Sequence, residues 1–293
     1  MNITKAYEMF MNEQKFRGNS SETISYYRIC LNMFMDFCGR DLDIDELDII
    51  LFKSYQMYLD SEKDIKRVSV RTYARAVRVF YRYLYFEDLL DIDINKLKLM
   101  KNKQESILPL TDSELKQLIS CFDMNNWLDV RDRLICQLMF DCGLRRGEIV
   151  NLKISDISMK KSTMLINGKG SKQRVVPFGH STKELICNYF DYLPDNSKYF
   201  FINNDGSHIT ANTIKKLFAR LKKKSGISRL YPHLLRHTFA TNYIYNGGNL
   251  EVLRVLLGHS TISITQIYVH LATQMHFIND SFESHLDKMF KAP

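Results

Sequence analysis

A tyrosine near the end of the chain stands close to other residues that could act together on a phosphate. Tyr268 follows His259 by nine positions. A tyrosine hydroxyl can attack phosphorus, arginines can bind the free oxygens of a phosphodiester, and histidine and lysine can transfer protons. Six residues of these types follow one another along the chain: Arg145, Lys169, His233, Arg236, His259 and Tyr268. Such a set could break a phosphodiester bond through a covalent bond to tyrosine.

Each of the six residues lies in a short motif. The chain reads Gly-Leu-Arg at 143–145, Gly-Lys-Gly at 168–170, His-x-Leu-Arg-His at 233–237 and Leu-Gly-His at 257–259, followed by Tyr268. In these motifs and their order the chain resembles the tyrosine recombinases, the family of the phage integrases and the Xer recombinases. Lys169 follows Arg145 by 24 positions, the separation expected of the Xer-like members.

The resemblance implies that Tyr268 is the nucleophile and that Arg145 and Arg236 form a phosphate clamp. A free phenol has a pKa near 10, so the tyrosine needs a base and positively charged neighbours. The two arginines and His233 would supply them. The product would be a 3′-phosphotyrosyl bond that conserves the bond energy, and the resemblance therefore implies no metal and no cofactor.

The remaining roles concern protons. By the resemblance, His233 assists proton transfer from the tyrosine, Lys169 is the general acid for the departing 5′ hydroxyl, and His259 donates a hydrogen bond to the phosphate. Lys172 and Arg174, on the same hairpin as Lys169, are either ordinary exposed basic residues or DNA contacts.

Three neighbours of these residues call for a separate interpretation. Arg146 adjoins Arg145, and only the resemblance selects Arg145. Glu148 is expected to support the loop rather than to take part in chemistry. His237 is set aside, because it points about 100° away from Arg236 on a helix.

The resemblance implies a site-specific DNA recombinase that serves integration and excision, inversion, or dimer resolution. Its partner would be a double-stranded recombination site. It would be a homo-tetramer in the synaptic complex and a monomer or dimer off DNA, with room for accessory proteins. Two alternatives are a DNA-relaxing enzyme like the type IB topoisomerases and a non-catalytic architectural DNA-binding protein.

The composition is that of a folded protein with a basic second part. Of the 293 residues, 45% are hydrophobic, and 41 Lys and Arg against 33 Asp and Glu give a net charge of +8. Residues 1–106 hold 17 basic and 17 acidic residues, so residues 107–293 carry the whole excess. That excess suits a polyanionic partner, although such a charge is also common elsewhere. It falls on the part of the chain that holds the motifs.

Cysteine spacing and the N-terminus bear on the compartment. The six cysteines form no Cys-x-x-Cys pair, so a zinc site or a disulfide framework is not expected and the thiols should be reduced. The first residues lack the apolar run of a signal peptide, and no segment reaches the length of a membrane span. We therefore expect a cytoplasmic protein without a membrane partner.

A helix with two different faces is the clearest feature of the first part. Apolar periodicity predicts helices over residues 20–38, 49–59 and 68–86, with Ser20 or Ser21 as the first cap. On the last of these helices Val70, Tyr73, Val77, Phe80 and Leu84 form an apolar stripe. The opposite face is a basic ridge made of Arg67, Arg71, Arg75, Arg78 and Arg82. Such a ridge is either a solvated face or a set of phosphate contacts.

The second part begins with a capping box at 111–114 and a helix over residues 130–142 that stops at Gly143. Strands are expected at residues 152–154, 163–167 and 174–178, the last two forming a hairpin. The fold class is therefore mainly α with a small antiparallel β-sheet. By the resemblance, residues 1–98 form an N-terminal helical core-binding, SAM-like domain and residues 99–109 a linker. An α+β catalytic domain at 110–275 would complete a C-shaped DNA clamp, and a C-terminal helix at 276–293 would pack in cis or be exchanged between protomers.

Overall fold

The computed structural model describes residues 1–101, 107–168 and 173–279. The chain divides into two compact units, Met1–Glu105 and Ser106–Pro293. Its described residues are mainly helical with one three-stranded antiparallel sheet, which confirms the predicted fold class.

Four α-helices build the first unit in its described residues. They are α1 (Ile3–Phe16), α2 (Ser21–Cys38), α3 (Ile49–Met57) and α4 (Arg67–Phe86). Side chains cap three of the four, because Asn2, Ser20 and Asp48 each accept a hydrogen bond from the backbone N–H of a residue three positions on. The caps explain why these helices begin where they do.

Aromatic side chains fill the core of this unit. Phe10, Phe34, Phe52 and Phe80 are buried, and the rings of Phe10 and Phe80 meet edge to face with centroids 5.5 Å apart. Four of the five stripe residues of α4 are fully buried here and Tyr73 is partly buried. The predicted inner face of α4 is therefore confirmed, and its arginines lie on the other side.

Two details of this unit differ from the expectations. Helix α1 was not among the predicted helices, although Asn2 and the buried spacing of Ile3, Ala6 and Phe10 mark it as one. The helix expected to end at residue 59 ends at Met57 and continues as a turn of π-helix over Tyr58–Glu62.

The second unit surrounds a small sheet with eight helices in its described part. The helices are α5 (Asp112–Ile119), α6 (Trp127–Asp141), α7 (Arg146–Val150), α8 (His180–Phe190), α9 (Ala211–Ser225), α10 (Pro232–Tyr245), α11 (Leu250–Leu257) and α12 (Ser263–Asn279). The predicted capping box is present, with the Thr111 hydroxyl accepting from the Glu114 N–H. Helix α6 packs against α8 and α10, and α10 packs against α12. This packing brings the motif-bearing helices together.

The sheet consists of β1 (Ile157–Ser158), β2 (Thr163–Asn167) and β3 (Gln173–Pro177), in that order and antiparallel. The predicted β2–β3 hairpin is confirmed. The strand expected at residues 152–154 is wrong: Lys153 makes only an isolated bridge to Tyr199, and Ile154–Asp156 form a 3₁₀ turn. Three residues are too few to show strand periodicity.

Two further features concern the whole chain. All six cysteines are free, and Cys187 among them is exposed rather than part of the core. Within the described ranges, no helix combines the length and the apolar character that crossing a bilayer requires.

Candidate active site

A left-handed glycine turns the chain into the site after α6. Gly143 has φ +66°, and a Cβ atom there would lie 2.6 Å from the ring of Phe239. Both the backbone angle and the close approach require glycine. Arg145 is two positions further on, in the position that precedes the first turn of α7. Gly143 therefore directs Arg145 away from the end of α6.

Three arginines from other elements bind the C-terminal end of α11. The last carbonyls of a helix lack partners within the helix and carry its negative dipole, so they attract cationic donors. At residues 256–258, which we call the arginine-bound turn, each carbonyl accepts from a different arginine. The pairs are Leu256 with Arg174 Nε at 2.6 Å, Leu257 with Arg236 Nη2 at 2.6 Å, and Gly258 with Arg145 Nη2 at 3.2 Å. One short turn thus places both predicted clamp arginines.

Helix α10 supplies Arg236 from inside the unit. Pro232 begins this helix, as predicted, and Arg236 is one turn on. Arg236 is buried and also donates from Nη1 to the Gly143 carbonyl. Burial lowers the pKa of Arg236 to about 9, and the positive charge of Arg145 contributes in the same direction. The site therefore contains a buried, closely held cation.

Glu148 joins two of the three arginines. Its Oε1 accepts from Arg174 Nη1 at 2.7 Å and from Arg145 Nη1 at 2.9 Å. Its Oε2 accepts from Arg174 Nη2 at 2.9 Å and from the Arg145 backbone N–H at 2.8 Å. Burial alone would raise the pKa of this carboxyl, but the hydrogen bonds and charge of Arg174, with those of Arg145, lower it to about 2. Glu148 is therefore an ionised support of the loop, in agreement with its interpretation from the sequence.

The protonation of His259 follows from its neighbours. Its Nε2 lies 3.2 Å from Arg236 Nη2, which can only donate, so Nε2 accepts. The proton is then on Nδ1, which donates to the buried Thr265 hydroxyl at 2.9 Å. Burial and the positive charges of the arginines lower the pKa of His259 to about 4, so the ring is neutral near pH 7. Donation from Nε2 to a phosphate requires a proton that this arrangement does not hold there.

Tyr268 lies inside the unit rather than on its surface. Its side chain on α12 is 6% exposed and packs in an apolar cluster with Leu253, Leu257 and Leu271. Burial raises its pKa, and the charges of Arg236 and Arg145 only partly offset that rise. The two arginines therefore favour the phenolate, as expected, but in this conformation burial is the larger effect.

Two histidine rings flank the nucleophile candidate. The His237 ring meets the Tyr268 ring edge on, with centroids 4.9 Å apart, and the His259 ring stacks at 6.4 Å. Within the described part of the chain, His237 Nδ1 is buried without a hydrogen-bond partner. His237 was set aside because it turns away from Arg236, yet that rotation directs it toward α12. The packing of α10 on α12 was not visible in the sequence.

His233 lies near several arginines of the site. Partial burial, followed by the charges of Arg236, Arg146 and Arg145, lowers its pKa. The imidazole is therefore neutral at pH 7 and able to accept a proton. The predicted hairpin lysines, Lys169 and Lys172, lie outside the described residues.

The side chain of Arg174 was expected to be exposed on the hairpin, but protein groups cover it. The side chain is 8% exposed and is bound to Glu148 and to the arginine-bound turn. In this position it faces protein atoms and not solvent, which contradicts the expectation of a surface DNA contact. Its partners are 26 and 82 positions away in sequence, so local spacing could not reveal them.

The basic ridge on α4 is divided in the structure. Arg67 pairs with Asp60 at 3.3 Å. The other four arginines line a groove of about 560 Å³ together with residues of the segment 94–99; they are Arg71, Arg75, Arg78 and Arg82. Burial and the charges of the neighbouring arginines lower the pKa of Arg78. We call this surface the α4 groove, and it concentrates positive charge on a unit whose sequence is balanced overall.

Comparisons with known proteins agree with this geometry. Residues 87–275 match the Phage integrase family, and residues 2–102 match the Phage integrase SAM-like domain. The chain belongs to the phage integrase family of tyrosine recombinases. It is 33% identical over 306 residues to the tyrosine recombinase XerC of Bacillus pumilus, covering 99% of each chain.

Solved structures give the same assignment at the level of fold. The crystal structure of XerA recombinase aligns with 27% identity and a TM-score of 0.53, covering 95% of this chain and 100% of that one. A lambda integrase dimer bound to a COC′ core site aligns with a TM-score of 0.75 at 18% identity, covering 97% and 99%. This tyrosine recombinase is thus a site-specific recombination enzyme with the family's two-part fold.

Proposed function

We propose that this recombinase cuts DNA by attack of the Tyr268 hydroxyl on a backbone phosphate. The new bond joins Tyr268 Oη to phosphorus, and the bond from phosphorus to the 5′ oxygen breaks. The proton of the phenol passes to His233, and Lys169 supplies a proton to the departing 5′ hydroxyl. A 5′ hydroxyl of a partner strand then reverses the step and releases the tyrosine, so the number of phosphodiester bonds is conserved.

The observation that carries this proposal is the arginine-bound turn. Its carbonyls hold Arg145 and Arg236 side by side, and the next residue, His259, contacts Arg236. Two adjacent cations in a partly buried site suit a phosphodiester, whose negative charge is shared by two free oxygens, and the added charge of its transition state. Tyr268 follows in the first turns of the next helix, with its ring stacked on that of His259.

The two arginines are suited to different tasks. Arg145 is 34% exposed, so its guanidinium can meet an incoming phosphate. Arg236 is buried, and its hydrogen bonds to carbonyls fix its position before DNA arrives. A preorganised donor costs no rearrangement in the transition state, and losing one typically costs about 3–4 kcal/mol. We expect both arginines to act mainly on the cleavage rate.

Double-stranded DNA is the partner that the charges favour. The α4 groove offers four arginines to a phosphate backbone.

The proposal includes the predicted domain limits, with the N-terminal domain at 1–98 and the catalytic domain at 110–275. A homo-tetramer would join two recombination sites, and the C-terminal residues 276–293 would act in that assembly. A cytoplasmic location follows from the DNA substrate.

Covalent capture tests the proposal even though the target sequence is unknown. The probe is a pool of duplexes that carry a nick beside randomised sequence, so that a cleaved strand is lost and the adduct persists. We expect a detergent-resistant protein–DNA adduct enriched in one sequence, and strand exchange between two copies of that sequence. Adduct formation without strand exchange would favour a topoisomerase-like activity, and the absence of any adduct would favour an architectural protein. Either result contradicts the proposal.

A further inference from the structure

The side chain of Arg174, on β3, is 8% exposed, and all its nitrogen atoms are bound by protein groups. Three of its nitrogen atoms donate within 2.9 Å, Nε to the Leu256 carbonyl and both terminal nitrogens to Glu148. The fork of an arginine matches the two oxygens of a carboxylate, and this geometry is more specific than a single charge contact. Such an arrangement fixes the positions of its partners.

The partners of Arg174 are the supports of Arg145. The same Glu148 oxygens that accept from Arg174 also accept from the Arg145 side chain and backbone. Arg145 in turn binds Gly258, two residues after the Leu256 carbonyl that Arg174 holds. Arg174, Glu148, Arg145 and the arginine-bound turn therefore form a closed ring of hydrogen bonds.

We propose that Arg174 is a positioning residue for DNA cleavage, which holds the clamp arginine Arg145 in place through Glu148 without touching the phosphate. The inference rests on the proposed function, because it assigns Arg145 to the clamp. It differs from a DNA-contact role, since the side chain is 8% exposed and its fork is directed at Glu148. Without Arg174, Glu148 would keep one arginine partner instead of two, and the Arg145 guanidinium would lose its fixed orientation.

The spacing at Gly258 supports this assignment. A Cβ atom on Gly258 would lie 3.3 Å from Arg174 Cδ and 3.5 Å from Arg145 Nη1. The two arginine side chains thus lie beside the same small residue, which leaves little room for a side chain there. A displacement of Arg174 is therefore transmitted to Arg145 both through Glu148 and through the arginine-bound turn.

Lysine substitution separates position from charge. Arg174→Lys keeps the positive charge but cannot bridge both carboxylate oxygens and the Leu256 carbonyl. Arg131→Lys is the matched control, because Arg131 is also 8% exposed and donates both to a carboxylate, that of Asp132, and to one backbone carbonyl, that of Ile202. Arg174→Gln serves as a second variant in case one substitution prevents folding.

Two measurements use a nicked duplex selected with the wild-type protein: single-turnover adduct formation and DNA affinity as a function of salt. The third is thermal unfolding of each protein variant. We expect Arg174→Lys to lower the cleavage rate by about 10²-fold, a cost that a displacement of about 1 Å can reach. Its salt slope should equal that of the wild type. Arg131→Lys should lower the unfolding temperature similarly and leave the rate within about twofold of wild type.

A double-mutant cycle with Glu148→Gln completes the test. If Arg174 acts through Glu148, the double variant Glu148→Gln with Arg174→Lys is no slower than the slower single variant. Independent, multiplied effects would overturn the inference. So would a salt slope reduced by close to 0.9, which indicates that one phosphate is no longer bound, or equal rates for Arg174→Lys and Arg131→Lys. Failure of the wild-type protein to form any adduct would instead contradict the proposed function.

Discussion

The charged residues of the site show how one helix end can organise cations that would otherwise repel one another. Arg145, Arg174 and Arg236 converge on three consecutive carbonyls, and Glu148 provides the ionised carboxylate among them. A buried cation is stable only when it is paired and hydrogen-bonded. Here the helix carbonyls supply much of that pairing, which leaves the outer side of Arg145 available to a substrate phosphate.

The protonation state of His259 can be predicted from its hydrogen bonds. We expect its ring to carry a proton on Nδ1 and none on Nε2 in the free protein, because Nε2 accepts from Arg236. Nitrogen-15 NMR of the ring distinguishes the two forms. Since its pKa is lowered to about 4, the signal should stay constant between about pH 7.5 and 5.5, whereas an ordinary histidine titrates near 6.5.

The sign of the accompanying stability change is fixed. Below about pH 6.5 the unfolded chain takes up this proton before the folded one does, so His259 makes the protein less stable as pH falls toward about 4. A protonated Nε2 in the free protein at pH 7 would contradict this account of the site. Spectra of His259→Gln identify the signal.

Some of the proposed site residues could be selected from the sequence, and the places of others could not. Arg145, Arg236, His259 and Tyr268 could be selected because each lies in a motif with its own local context. Arg174 could not be assigned its place, since the carboxylate and the carbonyl that bury it belong to other elements. The pKa of Tyr268 could not be predicted either, because it depends on the side chains that cover the ring.

At the scale of elements, the turn between α11 and α12 matters more than either helix alone. It ends α11 with Gly258 at φ +61° and leads through His259 to the helix that bears Tyr268. Periodicity predicted α2, α4 and α6 because long amphipathic helices leave a clear pattern. It gave no sign of the contacts of the arginine-bound turn, which join α7, β3 and α10 to the end of α11.

Replacement of the turn's glycine gives the first element-scale prediction. Gly258→Ala should cost about 1 kcal/mol of stability through its left-handed backbone and should also displace the adjacent guanidinium groups. Gly206→Ala is the control, because Gly206 has φ +76° with nothing within 4 Å of the added methyl. We expect similar unfolding temperatures but a cleavage rate about 10-fold or more lower for Gly258→Ala alone. Equal cleavage rates in the two variants would show that the turn does not position the clamp.

The arginines of the α4 groove give a separate prediction about DNA binding. Substitution of Arg75 and Arg78 by Gln should weaken binding to any duplex and reduce the slope of affinity against salt by about 0.9 for each phosphate that is no longer bound. The matched control is the same change at Arg17 and Arg40, which pair with Glu13 and Asp36 on the same unit. If both pairs of substitutions change the slope equally, overall charge explains the result and the groove does not.

In the whole molecule, the two units differ in how their charge is distributed. The catalytic unit carries the net positive charge of the chain, whereas the N-terminal unit is balanced in sequence and gathers its arginines on one face of α4. The fold class followed from periodicity and from the family motifs. The short strand β1 did not, since a two-residue strand has no period. Helix α1 was missed even though its cap and the spacing of its apolar residues mark it.

Identification of the nucleophile is the sharpest test of the proposed reaction. The chain has 16 tyrosines, and only Tyr268 is proposed as the nucleophile. The covalent adduct formed on a nicked duplex is digested with protease, and the peptide attached to DNA is identified by mass spectrometry. We predict the phosphotyrosyl linkage on Tyr268, and Tyr268→Phe should bind DNA with unchanged affinity while forming no adduct. An adduct on another tyrosine, or one that persists in Tyr268→Phe, would contradict the account.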